Sequence, residues 1–88
     1  MQVDLNFDLV GLDGVKVAVA GELIAGVLAA QTKGDAIKLL DWALSFYKKE
    51  VVTMDASDLI KLKEIISNAE NVTVLAKSPI LKYLDTVK

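Results

Sequence analysis

The first residues of the chain alternate between apolar and polar side chains. The apolar positions between residues 2 and 9 are Val3, Leu5, Phe7 and Leu9. An alternation with a period of two predicts a half-buried strand, here with an acidic outer face. The alternation resumes over residues 15–19, after a turn signal at Gly14. The two segments are therefore predicted to form a β-hairpin.

The turn sets the register of this hairpin. A two-residue turn at Asp13-Gly14 places Leu9 opposite Ala18 and leaves Val17 on the wrong face. A three-residue loop over residues 12–14, with Gly14 at positive φ, puts the valines on the apolar face. The expected pairs are therefore Leu9 with Val17 and Phe7 with Val19.

The segment between Lys16 and Lys33 carries a single charge, at Glu22. From about Gly21 its period becomes helical. The apolar stripe of this first helix comprises Leu23, Ile24, Val27, Leu28 and Gln31. The opposite side is small rather than polar, with Gly21, Ala25 and Ala29. Because neither side favours water, the second helix or another subunit must cover the small side. The candidate interface residues are Gly21, Leu23, Ala25, Val27, Ala29 and Trp42.

Two capping signals separate the first helix, expected to end near Lys33, from the second. Gly34 stands where a left-handed C-cap belongs, and Asp35 follows as an N-cap. The second helix is predicted from Ala36 to about Lys49. Its apolar face comprises Ile37, Leu39, Leu40, Ala43, Leu44, Phe46 and Tyr47, and Trp42 lies beside its polar stripe.

A short extended segment over residues 51–54 leads to the third helix. Asp55 is the candidate N-cap, and helical spacing continues from Ala56 to about Asn68. The side chains predicted to be buried are Leu59, Leu62, Ile66 and Ile65.

The C-terminal segment keeps helical spacing from about Val72 to Thr86, but Pro79 interrupts it. A proline inside a helix removes a hydrogen bond and costs about 3 kcal/mol. We therefore expect a kink or break, with Ser78 as the N-cap of a last helix and Pro79 at its first position.

This order of elements predicts an α+β fold, in which an N-terminal β-hairpin is followed by about four helices. The 88 residues are enough for a single compact domain over residues 1–88. The longest uncharged run, residues 23–32, is too short to cross a membrane, which takes about 20 apolar residues. The N-terminus lacks the basic start and apolar core of a secretory signal, so we expect a cytoplasmic protein.

Composition argues against catalysis. Cys and His are both absent, which excludes disulfides, thiolate or imidazole metal sites, and nucleophile–histidine pairs. No carboxylate pair stands out among the twelve acids, so an enzyme would need a cleft of convergent acids that the sequence does not indicate. We assign no catalytic residue and no cofactor, and we expect no enzyme activity.

Two acidic patterns invite comparison with cation sites. Asp4, Asn6 and Asp8 share one side of the first strand, and oxygen ligands suit Ca²⁺, but any solvated strand face has this pattern. Asp55 begins like a calcium loop, yet isoleucines occupy the positions where an EF-hand loop needs glycine and glutamate. Capping explains Asp55, and we assign no metal site.

Charge disfavours nucleic acid as a partner. All ten basic residues are lysines, so the bidentate fork of arginine is missing, and the net charge is −2. The alternative that stays open is a small nucleic-acid-associated regulator. It would use the lysines Lys48, Lys49, Lys77, Lys82 and Lys88 and the aromatic residues Phe46 and Tyr47.

Two helical stretches resemble small proteins encoded in prophages. They read Gly34-Asp35-Ala36-Ile37-Lys38-Leu39-Leu40-Asp41-Trp42-Ala43-Leu44 and Ser57-Asp58-Leu59-Ile60-Lys61-Leu62-Lys63. The resemblance implies a phage-derived accessory or assembly protein, similar in role to tail assembly chaperones, with no catalytic residues to carry over. Together with the surplus of apolar residues, it leads us to expect a non-catalytic protein that acts through protein–protein interaction or self-association, as a homo-oligomer or with a protein partner.

Overall fold

The computed structural model describes residues 1–32, 34–70 and 72–87. Its elements are β1 (Gln2–Val3), β2 (Asp8–Val10), β3 (Lys16–Val19), α1 (Ala20–Ala29), α2 (Ala36–Tyr47), β4 (Val52–Thr53), α3 (Ala56–Asn68) and α4 (Val74–Thr86). The strands pair antiparallel, β1 with β4 and β2 with β3. The predicted α+β fold, with an N-terminal hairpin and four helices in a single domain, is confirmed.

The alternating N-terminal segment folds as two short strands instead of one. Its faces are as expected, because Val3, Leu5 and Leu9 are buried and the polar residues between them are exposed. The chain bends between β1 and β2, where Asn6 N–H donates a hydrogen bond to Asp4 Oδ1 at 2.9 Å. A short polar side chain that binds the backbone two residues later competes with a strand ladder. The bend allows β1 to pair with β4 while β2 pairs with β3.

The loop of the β2–β3 hairpin is the predicted one. Gly14 has a φ of 82°, and its N–H donates to the carbonyl oxygen of Gly11 at 3.0 Å. Asp13 Oδ1 accepts a hydrogen bond from Val15 N–H at 3.1 Å. Glycine suits the positive φ because it has no Cβ to crowd the backbone. The prediction for Gly14 is confirmed.

The register beyond this loop differs from the prediction. The observed pairs are Asp8 with Val19, Leu9 with Ala18, and Val10 with Lys16. The expected partners Val17 for Leu9 and Val19 for Phe7 are therefore wrong. A β-bulge inserts Val17 as an extra residue and leaves it exposed. The shifted register continues into α1, because Ala20 N–H donates to the carbonyl oxygen of Phe7 at 2.9 Å.

The corner between α1 and α2 is longer than predicted. α1 ends at Ala29 with Ala30 as its C-cap, whereas the expected end at Lys33 lies outside the described residues. Gly34 has a φ of 100°, but it does not cap α1, so that predicted role is wrong. The side chain of Gln31 donates to a carbonyl of the last turn of α1 at 3.0 Å, and this bond supplies a partner at the helix end.

α2 begins at its predicted N-cap and buries a different face from the one expected. Lys38 N–H donates to Asp35 Oδ1 at 3.1 Å. The buried residues of α2 are Leu39, Trp42, Ala43 and Phe46. Trp42 lies beside Lys38 of the predicted polar stripe, as expected, but it is only 6% exposed and belongs to the core. The Lys38 ammonium lies 5.7 Å from the indole centroid and covers the ring. The residues Ile37, Leu40, Leu44 and Tyr47, expected on the buried face, are exposed.

The extended segment and the third helix are confirmed. β4 supplies the strand at Val52–Thr53, and α3 spans Ala56–Asn68. Asp58 N–H donates to the N-cap side chain of Asp55 at 2.8 Å. The buried residues of α3 are Leu59, Leu62 and Ile66, and Ile65 is half-buried.

The C-terminal segment forms one helix. α4 spans Val74–Thr86 with Pro79 inside it, so the predicted break with Ser78 as an N-cap is wrong. The N-cap is Thr73, whose Oγ1 accepts a hydrogen bond from Ala76 N–H at 3.3 Å. The residues that α4 buries are Ile80 and Leu84. Burial of these two apolar side chains is favourable by an amount similar to the cost of the hydrogen bond that Pro79 cannot make.

The main core draws side chains from all four helices and from the N-terminal segment. Its large fully buried residues are Phe46, Leu5, Leu9, Ile24, Leu62, Ile66, Ile80, Leu84 and Val3. A smaller cluster consists of Val27, Ala69 and Val72. Tyr83 attaches α4 to the N-terminal segment: its hydroxyl accepts a hydrogen bond from Asp4 N–H at 2.8 Å, and its ring lies 5.5 Å from that of Phe7.

Candidate protein-interaction surface

α1 and α2 form an antiparallel helical hairpin. The start of α1 lies against the end of α2, since a Cβ on Gly21 would stand 2.7 Å from the carbonyl oxygen of Phe46. The end of α1 lies near the start of α2, where Ala29 and Leu39 line one recess. Gly21 therefore permits the close approach of the two helices. α2 covers the small side of α1 at this end.

The six predicted interface residues are divided between the core and the surface. Gly21, Ala25, Val27 and Trp42 are buried within the chain, Leu23 is half-buried, and Ala29 is exposed. Four of the six are thus covered by the chain itself. In the folded chain, Ala29 and the exposed part of Leu23 remain accessible to a partner.

An apolar groove of about 280 Å³ lies between α1 and α2 on the surface of the protein. Its lining consists of Glu22, Ala25, Gly26, Ala29, Leu40, Ala43, Leu44 and Tyr47. The α1 side is small apart from Glu22, and the α2 side is large apart from Ala43. Among the described residues of this lining Glu22 alone is charged, and it lies at the end where α1 begins.

α2 presents a row of four large apolar side chains, which we call the α2 seam; three of them line this groove, and Ile37 continues the row toward the start of α2. The seam consists of Ile37, Leu40, Leu44 and Tyr47, whose exposed fractions are 79%, 52%, 48% and 62%. Their spacing of three, four and three residues is the spacing with which one helix packs along another. The chain's own core uses a different face of α2. A continuous apolar row that the chain leaves in water is typical of a surface that another molecule covers.

Gly26 adds a second feature to the groove. It lies in the middle of α1 and lines the groove, and a Cβ built on it would meet nothing within 4 Å. A glycine inside a helix is less favourable than alanine by about 0.5–1 kcal/mol. Within the described chain no contact requires this glycine, in contrast to Gly21. The missing side chain keeps the groove open to a closely approaching backbone.

Charged side chains occupy a third face of α2. Lys38 Nζ donates to Asp58 Oδ1 at 2.7 Å and so connects α2 to α3. The hydrogen bond from Lys38 holds the pKa of the Asp58 carboxyl below its ordinary value. The same bond raises the pKa of the Lys38 ammonium. By helical position this pair is separate from the α2 seam, and its role is to join two helices.

The β2–β3 hairpin is a second exposed apolar element. Residues 12–17 are all exposed. The exposed apolar side chains of this hairpin are Val10, Leu12, Val15 and Val17. They are spread over two strands and a loop, whereas the seam residues form one row beside a groove. The hairpin therefore gives a less defined surface than the α1–α2 groove.

The residues of the nucleic-acid alternative are not brought together. Lys48 and Lys49 are exposed at the end of α2, but Phe46 is buried in the core and cannot stack on a base. Tyr47 belongs to the apolar seam. Lys77 and Lys82 lie on α4, and Lys88 lies outside the described residues.

Over residues 1–32, 34–70 and 72–87, no three carboxylates come together as a possible metal site. The helices in these same ranges are too short or too polar to cross a bilayer. No family model, curated protein or solved structure matches this chain.

Sequence reasoning assigned the seam residues to the buried face of α2 and so did not single them out as a site. The signal was present, because α2 contains two apolar rows with helical spacing. One row is the α2 seam, and the other consists of Leu39, Trp42, Ala43 and Phe46. A helix in a small domain can bury one face against its own core, so the second apolar row stays exposed at the surface.

Proposed function

We propose that this chain is a non-catalytic protein-interaction domain that binds an apolar helical surface through the groove between α1 and α2. The observation that carries the proposal is the α2 seam, in which each side chain is about half exposed or more. The small residues on the α1 side of the groove support it, since they leave room for a helix to approach.

Covering the seam is favourable through the hydrophobic effect. Fully burying a leucine or isoleucine side chain stabilises a structure by about 1.5–3 kcal/mol. About half to four-fifths of this gain remains available at the seam positions, because the chain itself buries the other part. Association costs about 4–15 kcal/mol in lost freedom. The seam therefore supports a reversible contact, which becomes firm when the partner adds apolar surface of its own.

The resemblance to small prophage-encoded proteins suggests where such a contact is used. We extend the proposal to a phage-type accessory or assembly role, in which the domain holds a protein subunit. The absence of Cys and His agrees with a protein that binds and does not catalyse.

A single substitution in the seam tests the proposal. Leu44→Lys places a charge in the groove, and lysine forms helices well, so we expect the fold to persist and association to be lost. Sedimentation velocity measures self-association. Affinity capture from the producing organism, followed by titration of the purified captured protein, measures association with a partner.

The matched control is Ile60→Lys, which charges an exposed isoleucine of α3 outside the groove. This variant should associate as the parent does. Equal loss of association in both variants, or no loss in Leu44→Lys, would contradict the proposal.

A mobility assay at about 50 mM salt addresses the nucleic-acid alternative, because electrostatic binding is strongest at low salt. Binding there that Leu44→Lys leaves intact would favour that alternative.

A further inference from the structure

We infer that the partner that fits the α2 seam is a second copy of this chain, related by a twofold axis that sets the two α2 helices antiparallel. The inference rests on the proposed function and names the occupant of the groove. The assembly it describes is a bundle of four helices, with α1 and α2 from each copy.

The seam is complementary to itself in this orientation. When two α2 helices run antiparallel with their midpoints together, Ile37 of one copy lies beside Tyr47 of the other, and Leu40 lies beside Leu44. A twofold axis makes each of these pairs occur twice, so one seam covers the other along its whole length. All four side chains are exposed before association, and in this arrangement each gains an apolar neighbour.

The α1 side of the groove has the shape that such a neighbour needs. Gly26 and Ala29 are exposed there, and the space above Gly26 is open. Small residues allow helix axes to approach more closely than large ones do. The α2 helix of a second copy can therefore contact both α1 and α2, so it lies in the groove between them and does not pack on α2 alone.

The available area agrees with a small, reversible dimer. A helix of 12 residues such as α2 is about 18 Å long, and two helices side by side are about 20 Å wide. Two faces of this size bury on the order of 1,000 Å² of accessible surface, which is near the lower limit for a specific interface. We therefore expect association in the micromolar range and not a permanent dimer.

The polar residues that border the seam fix a second property of the dimer. By helical position, Asp41 and Lys48 lie along one edge of the seam, so the two copies bring no net charge to that edge. Asp41 lies near the middle of α2, and the antiparallel arrangement brings the two Asp41 carboxylates toward the axis. Their repulsion is relieved in Asp41→Asn, so this variant should dimerise about twofold more tightly.

Cysteine crosslinking tests the orientation directly, because the chain has no cysteine of its own. Ile37→Cys and Tyr47→Cys are made separately, at positions that are exposed in the single chain. In the antiparallel dimer two copies of residue 37 lie about 15 Å apart along the helix axis, since ten residues separate positions 37 and 47. A mixture of the two variants should form at least tenfold more disulfide-linked dimer than either variant alone. Ile60→Cys, outside the groove, serves as the control and should not crosslink.

Each result decides the inference. Preferential crosslinking of the mixture, with loss of dimer in Leu44→Lys, supports the antiparallel dimer. If each single variant alone crosslinked at least as much as the mixture, the two α2 helices would be parallel, and this result would overturn the inference. A strict monomer at several hundred micromolar would also overturn it, as would a host protein that binds the groove of a monomeric chain. In that last case the proposed function stands and only the identity of the occupant is wrong.

Discussion

Two glycines of α1 lie five residues apart and have different surroundings. A Cβ on Gly21 would stand 2.7 Å from the carbonyl oxygen of Phe46 and 3.3 Å from that of Leu5, and both are backbone atoms that cannot move aside cheaply. We expect Gly21→Ala to lower the free energy of unfolding by about 1–3 kcal/mol. Gly26→Ala, which fills open space, should raise it by about 0.5–1 kcal/mol.

Urea denaturation of both variants at low protein concentration, where the groove is free, provides the comparison. Each variant serves as the control for the other, because the same chemical change is made at two positions of one helix. Destabilisation of similar size at both positions would contradict the close backbone contact at Gly21 and the open space at Gly26.

Lys49 is a non-glycine residue with a φ of 64°. It follows the C-cap of α2, where its N–H donates to the carbonyl of Phe46 at 3.1 Å and Glu50 N–H donates to that of Ser45 at 2.9 Å. This pattern of bonds is the Schellman motif, in which glycine is preferred at the left-handed position. We expect Lys49→Gly to raise the free energy of unfolding by about 0.5–1 kcal/mol. Thermal unfolding measures the change, and a lowered melting temperature would be the opposite result.

At the scale of the element, α4 contains a residue that helices disfavour. Pro79 lies at the sixth position of α4 and is exposed, so it has no packing role that alanine would remove. Pro79→Ala restores an N–H that can donate to the carbonyl of Leu75. The gain of up to about 3 kcal/mol is reduced by the freedom the unfolded chain recovers, about 1 kcal/mol. We expect a net increase in the free energy of unfolding, measured by urea titration with Ser78→Ala as the control.

The same element shows why some boundaries could be predicted and others could not. α3 has a side-chain cap at Asp55 and one apolar face, and both are local signals, so its bounds were predictable. The helix that continues through Pro79 buries Ile80 and Leu84 in a core assembled from distant elements, which the local sequence does not display. The bulge at Val17 accompanies a shifted register that continues into α1, where Ala20 N–H donates to the Phe7 carbonyl, and the apolar pattern of the strand alone does not display it.

The contact between α2 and α3 carries a dependence on pH. The Asp58 carboxyl has a folded pKa below its ordinary value of 3.8, because Lys38 donates a hydrogen bond to it. A lowered pKa means that the folded state favours the charged form, so this stabilisation is present above about pH 4 and is lost as the pH falls through the folded pKa. The pKa of the Lys38 ammonium is raised. The stabilisation from this group is therefore present below its ordinary pKa and is lost as the pH rises through the raised, folded-state pKa.

Asp58→Asn removes this linkage. We expect the variant to be less stable than the parent near neutral pH, and the difference between them to shrink as the pH approaches about 2. Urea midpoints across this range measure the difference, and Lys38→Gln should show the same trend. A difference that stays constant with pH would mean that the charge of Asp58 contributes nothing to stability, which would contradict the expected linkage.

For the whole molecule, the choice of buried face on α2 is the step that sequence reasoning could not make. Both rows of α2 have helical spacing, and hydrophobicity alone does not rank them. The row with Trp42 and Phe46 is buried because the N-terminal segment and the other helices supply a core on that side. The α2 seam is the apolar row that the core leaves exposed, so the groove beside it could be recognised only after the fold was known.

The first ten residues connect the parts of the molecule. β1 pairs with β4, β2 pairs with β3, and the carbonyl of Leu5 accepts a hydrogen bond from Gly21 N–H of α1 at 2.9 Å. Leu5 itself is 1% exposed, whereas Leu12 in the hairpin loop is 96% exposed. We expect Leu5→Ala to lower the free energy of unfolding by about 2–5 kcal/mol, through lost burial and the cavity left among several elements. Leu12→Ala should change it by less than about 0.5 kcal/mol.

The two variants make the same chemical change in one eight-residue stretch, so their difference isolates burial. Denaturation should remain a single transition when followed by Trp42 fluorescence and by far-ultraviolet circular dichroism, because Leu5 and Trp42 belong to one core. If Leu5→Ala separated the two signals, with Trp42 retaining its native fluorescence while part of the helix signal was lost, α1 and α2 would form a unit that does not need the N-terminal segment. Coincident loss of both signals is the result expected of a fold in which the N-terminal strands complete the core that the helices share.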